Sequence, residues 1–153
     1  MAATHRILDD LYEETFSLFA IHSSLDDFAV VYVLNQYLKT RFKRLRTDLD
    51  IARGVSFPIF EWQDDVNHRN LTLIANNTRK EESVNSNDLF MNEPSLATYH
   101  LLPEHRDVDY LLKIDPELDE EEPFLRTLTA IPSLITVYSL DTNKLKSKRN
   151  LIF

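Results

Sequence analysis

One glycine in 153 residues, Gly54, restricts what this chain can build more than any other feature of its sequence. Loops that cradle phosphate need several residues with positive φ or no side chain, so neither a Rossmann fingerprint nor a P-loop can be written here. The same scarcity removes the strained serine elbow of hydrolases, because His22-Ser23-Ser24 has no flanking glycine to permit it. Cysteine is absent, which excludes disulfides, thiolate metal sites, iron–sulfur clusters and a cysteine nucleophile.

What remains is an ordinary globular composition. With 43% hydrophobic and 27% charged residues the chain is far from the disordered regime. Its length suits one domain, since a fold of this size buries roughly 70% of the surface its unfolded chain exposes. Met1 to Asp10 carries Arg6 as its one cation and no apolar run, so neither a signal peptide nor a transit peptide is expected. The longest apolar stretch, Phe28 to Leu34, is far short of the roughly 20 residues that span a bilayer. The expected address is the cytoplasm, without membrane insertion. A net charge of −8 argues against wholesale nucleic-acid binding, while leaving room for a local basic patch.

Hydrophobic periodicity predicts a central strand over Glu14 to Ser23, apolar on both faces, and then a helix from Leu25 to Lys39 with Ser24 and Asp27 as its capping box. Strands are expected at Arg41 to Ile51, Ser56 to Trp62 and Asn70 to Asn76, with Pro58 marking an edge or a bulge. The polar stretch 77–93 reads as a surface loop pinned by Leu89-Phe90-Met91. Thr98 to Leu102 and Val108 to Ile114 read as a hairpin around Pro103 to Asp107. The acidic run from Asp115 leads into a short helix, Glu120 to Ala130, with Pro123 in its first turn, and Ser133 to Leu140 is a closing strand. A basic and apolar tail, 144–153, follows. The order predicts a single α+β domain over 1–153: a mainly antiparallel sheet with two principal helices on one face, suited to a ferredoxin-like or ACT-like arrangement.

Leu102-Pro103-Glu104, followed after three residues by Val108-Asp109-Tyr110, resembles the signature of the IPExxxVDY family, small Bacteroidetes proteins without an assigned function. The resemblance extends to Ile21-His22-Ser23-Ser24-Leu25, Phe60-Glu61-Trp62 and the closing Leu145 to Phe153, and so spans the chain. It implies a bacterial cytosolic protein and carries no activity with it.

Glu104, Asp109 and Tyr110 could serve as acid and base or hold a cation, but these residue types serve turns and sheet packing more often. Alternation would also put Asp109 and Tyr110 on opposite faces of one strand. The five histidines, His5, His22, His68, His100 and His105, have no metal-ligand spacing, and no metal or other cofactor is expected. Lys39, Arg41, Lys43, Arg44 and Arg46 concentrate charge at one helix-to-strand junction. Two readings fit them: a site for an anion, RNA or an acidic partner, or a solubilised edge strand. Leu151, Ile152 and Phe153 must dock, either on their own domain or on a partner as an added strand. Taken together these features predict a non-catalytic binding or regulatory module, with a protein partner or a second copy as its target. An RNA- or anion-binding accessory factor is the alternative, and a small enzyme using Glu104, Asp109 or His105 stands behind both.

Overall fold

A computed structural model describes residues 15–82 and 95–153. The described residues form an α+β fold with two helices, α1 (Asp27–Leu38) and α2 (Glu122–Thr129), and ten strands. The strands are β1 (Ser17–His22), β2 (Lys43–Arg44), β3 (Leu49–Ala52), β4 (Val55–Phe57), β5 (Ile59–Asp64), β6 (Arg69–Ala75), β7 (Asn77–Glu82), β8 (Ser95–His100), β9 (Tyr110–Asp115) and β10 (Thr136–Leu140). Six of them make one sheet in the order β10-β1-β9-β6-β5-β2, and every pairing in it is antiparallel. Within it β1 and β6 flank β9, while β9 and β10 flank β1. Because α1 lies between β1 and β6 in the chain and α2 between β9 and β10, this is the split β–α–β order of a ferredoxin-like sheet, extended by β5 and β2.

Both faces of the sheet are buried. Phe19 and Ile21 of β1, Leu71 and Leu73 of β6, and Leu112 and Ile114 of β9 pack against Val30, Val31 and Leu34 of α1 and Leu128 of α2. Both helices therefore lie on one face. The opposite face, with Leu18, Ala20, Ile74 and Leu111, meets neither of these two helices; among the described residues Val55, Phe57, Leu101, Leu102, Val108 and Leu151 pack on it. Burying each such side chain contributes about 1.5–3 kcal/mol, so the β3–β4 hairpin and the irregular segments beside it are a substantial part of the core.

Several expectations need correction. α1 begins later than predicted, because Asp26, not Ser24, caps it: its carboxylate accepts the Ala29 N–H at 2.8 Å. The segment 41–51 is not one strand. Only Lys43–Arg44 joins the sheet, and Leu49–Ala52 turns back on Val55–Phe57 as a separate hairpin whose turn uses Gly54 at φ 75°. Pro58 stands where the chain passes from that hairpin into β5. The loop predicted over 77–93 begins as a strand, since β7 pairs with β8; Leu89-Phe90-Met91 lies outside the described residues. The hairpin expected around Pro103 to Asp107 does not form. β8 pairs with β7, β9 pairs with β1 and β6, and Pro103–His105 is a 3-10 turn between two sheets. Local spacing suggested a hairpin, but the non-local partners of both strands won.

The two edges of the large sheet differ. β2 is two residues long and both are cationic, whereas β10 has five residues, Thr-Val-Tyr-Ser-Leu, without a charge or a proline.

Candidate functional site

The basic junction is shaped by the end of α1. Lys39 closes the helix in the left-handed conformation, φ 57°, and the chain turns towards β2. Asn35 holds that turn. Its side-chain oxygen accepts from the Phe42 N–H and the Thr40 hydroxyl, both at 2.8 Å, and its amide donates to the Phe42 carbonyl at 3.3 Å. Phe42 is then buried beside Trp62, with ring centres 6.5 Å apart, and the flanking Arg41 and Lys43 are left exposed.

Lys39, Arg41 and Lys43 consequently border one open cleft of about 540 Å³, whose other wall is β5 with Glu61, Trp62 and Gln63, and Asp65 beyond it. None of the three cations forms an ion pair among the described residues. The remaining two residues of the basic run are placed elsewhere. Arg44 pairs with Asp48, and its guanidinium lies 5.9 Å from the centre of the Phe60 ring; Arg46 is exposed and does not line the cleft. Sequence proximity joined five charges, and strand alternation separated them.

The far end of the cleft is fixed by the turn from β5 to β6. Asp64 is buried and accepts from the Asn67 backbone at 3.3 Å, the Asn67 side chain at 2.7 Å and Arg69 Nε at 3.1 Å. Burial pushes its carboxyl up, but the Asn67 and Arg69 hydrogen bonds and the Arg69 charge outweigh this and hold it below its ordinary value.

The residues of the family-like segment spend their polar groups on the protein itself. Asn76, at the end of β6, is fully buried and organises them. Its amide donates to the carbonyls of His105 (2.7 Å) and Val108 (2.9 Å), and its side-chain oxygen accepts the Leu102 N–H (2.9 Å). Glu104 receives the backbone N–H and the hydroxyl of Ser147, both at 2.9 Å. Partial burial raises the Glu104 carboxyl; its own amide, both Ser147 donors and the His105 charge outweigh that, and it lies below its ordinary value. Asp109 accepts the Ser23 N–H at 2.9 Å, and the Tyr110 hydroxyl donates to the Leu25 carbonyl. Both thus hold the 23–25 segment that leads into α1. They were expected on opposite faces, but Asp109 precedes β9 and escapes its alternation. Burial first, then the charges of Asp27, Asp26 and Asp109, pushes the Tyr110 phenol up to about 12. Leu102 and Val108 are core residues, and Pro103 begins the 3-10 turn.

Leu151, Ile152 and Phe153 do not act together. Leu151 is completely buried on the sheet face opposite α1 and α2, while Ile152 and Phe153 remain partly exposed. The segment is fastened by Lys113, which is buried in β9, donates to the Leu151 carbonyl at 2.7 Å and lies 4.4 Å from the centre of the Phe153 ring. Asn150 adds a bond to the Leu101 carbonyl at 2.9 Å. His22 meets Tyr138 at 3.0 Å; among the described residues no three His, Cys, Asp or Glu side chains are grouped as a metal site would need. No described helix is long and apolar enough to cross a membrane.

Sequence reasoning passed over Asn76, Lys113 and Asp64. Lys113 did leave a signal, a lysine inside an otherwise apolar strand, Leu111 to Ile114. No protein-family model, no curated protein and no solved structure matches this chain.

Proposed function

We propose that the protein is a non-catalytic binding module of the cytoplasm, that its working surface is the cleft where α1 ends beside β2, and that its partner is an acidic segment of another protein. One observation carries this reading: Lys39, Arg41 and Lys43, without ion pairs among the described residues, converge on one cleft of about 540 Å³ that Trp62 also lines. Unpaired surface cations gathered by a concave wall present a focused positive field. Glu61 and Asp65 border the same cleft, and they disfavour a continuous phosphate backbone over a protein segment that offers carboxylates at some positions only. The carboxylates of Glu104 and Asp109 accept donors from the protein's own backbone, which supports a binding role over a catalytic one. Kinship with the IPExxxVDY proteins belongs to the same proposal and rests on the motif at Leu102 to Tyr110.

The test compares the wild-type protein with the double variant Arg41→Glu, Lys43→Glu as baits in a cell extract. Both residues are exposed, so the melting temperature should move little. The wild type should retain a protein that the variant loses and that is released as salt rises. Equal retention by both baits defeats the proposal; retention of ribonuclease-sensitive material in place of protein transfers the cleft to RNA.

A further inference from the structure

β2 stops before β5 does. Lys43 lies opposite Glu61 and Arg44 opposite Phe60, while β5 continues through Trp62, Gln63 and Asp64. The Leu45 N–H donates to the Ile59 carbonyl at 2.9 Å, which places the backbone polar groups of Ile59 on the β2 side. Backbone groups alternate along a strand, so those of Glu61 and Gln63 also point that way. Glu61 has Lys43 as its partner there. Gln63 is paired with Asn70 of β6 on its other side, but on the β2 side it has no strand among the described residues, and it lines the cleft. The chain cannot continue along β5 to cover this gap, because Asn35 ties Phe42 and Thr40 back to α1.

Resting on the reading of the cleft given above, we infer that the acidic partner enters as an extended strand, pairing its main chain with β5 at Gln63 and setting carboxylates against Lys39, Arg41 and Lys43. A sheet edge supplies hydrogen bonds to any backbone, and the neighbouring charges then select which chain is accepted. The opposite wall contributes Trp62, whose partly exposed ring gives an apolar side chain of the incoming strand a surface to lie on. Alternation in the partner answers both needs, with acidic and apolar residues in turn along the segment.

The probe is a fluorescent eight-residue peptide of alternating glutamate and valine, read by anisotropy against the full chain. Two further peptides carry N-methyl groups on alternate amides, one in each phase, which removes hydrogen-bond donors without changing charge. The parent peptide should bind with an affinity that falls as salt rises, and one methylated phase should lose about tenfold or more while the other retains binding. Gln63→Pro should lose a similar factor, and Gln63→Ala, which keeps the backbone N–H, should not. If both methylated peptides bind like the parent, strand addition is overturned while the charge-based cleft stands. If Arg41→Glu with Lys43→Glu leaves peptide affinity unchanged, the cleft reading falls with it. Failure of the parent peptide to bind at all overturns the inference.

Discussion

Asn76 holds together a segment that its own sequence could not fold. The Leu102 N–H and the carbonyls of His105 and Val108 all end on its side chain, in a place with no exposure to water. Asn76→Ala orphans all three, and since a buried group left unpaired costs roughly 1–3 kcal/mol, the fold should lose about 3 kcal/mol or more in chemical denaturation. Among the described residues, two carboxylates contribute to acid sensitivity. Asp64 and Glu104 lie below their ordinary values of 3.8 and 4.5 in the folded chain, so their stabilisation is complete above those values and disappears as the pH falls through the lower folded ones. Melting temperature should therefore drop on acidification below about pH 4.5, and the double variant Asp64→Asn, Glu104→Gln should flatten that slope while being less stable at neutral pH. At this scale the sequence announced the motif residues, through proline and paired acids, but not the asparagine that anchors them. An asparagine at the end of a strand looks like any turn residue until its distant partners are known.

Elements were legible where their cause is local. The 3.6-residue spacing of Val30, Val33, Leu34, Tyr37 and Leu38 and the proline at the start of α2 placed both described helices, with ends wrong by a few residues and with Tyr37 left exposed where that stripe predicts packing. Strand existence was legible in part, since β7 reads as loop in the sequence and 41–51 as one strand, and strand partnership was not: β8 and β9 sit close in sequence and belong to different sheets. The closing segment forms no strand or α-helix and nevertheless places Leu151 in the core. Leu151→Ala should cost about 2–5 kcal/mol, as for other fully buried leucines, and hydrogen exchange should rise at Leu101 and Leu102, beside which it packs. An unchanged denaturation midpoint would mean that this segment merely rests on the surface.

Across the described fold, a six-stranded antiparallel sheet has α1 and α2 on one side and the β3–β4 hairpin with the 101–108 and closing segments on the other, an α+β arrangement that composition and element order foretold. The cleft was foretold only as a density of charge. Its shape depends on Asn35 holding the Phe42 backbone to α1, a bond across seven residues that no spacing rule announces. The uncharged β10 carries a consequence of its own for handling the protein. A net charge of −8 keeps neighbouring molecules apart near neutral pH. As acid neutralises the carboxylates that repulsion fades, and concentrated solutions should then precipitate by stacking along β10, the rim where a foreign ladder meets neither lysine nor proline.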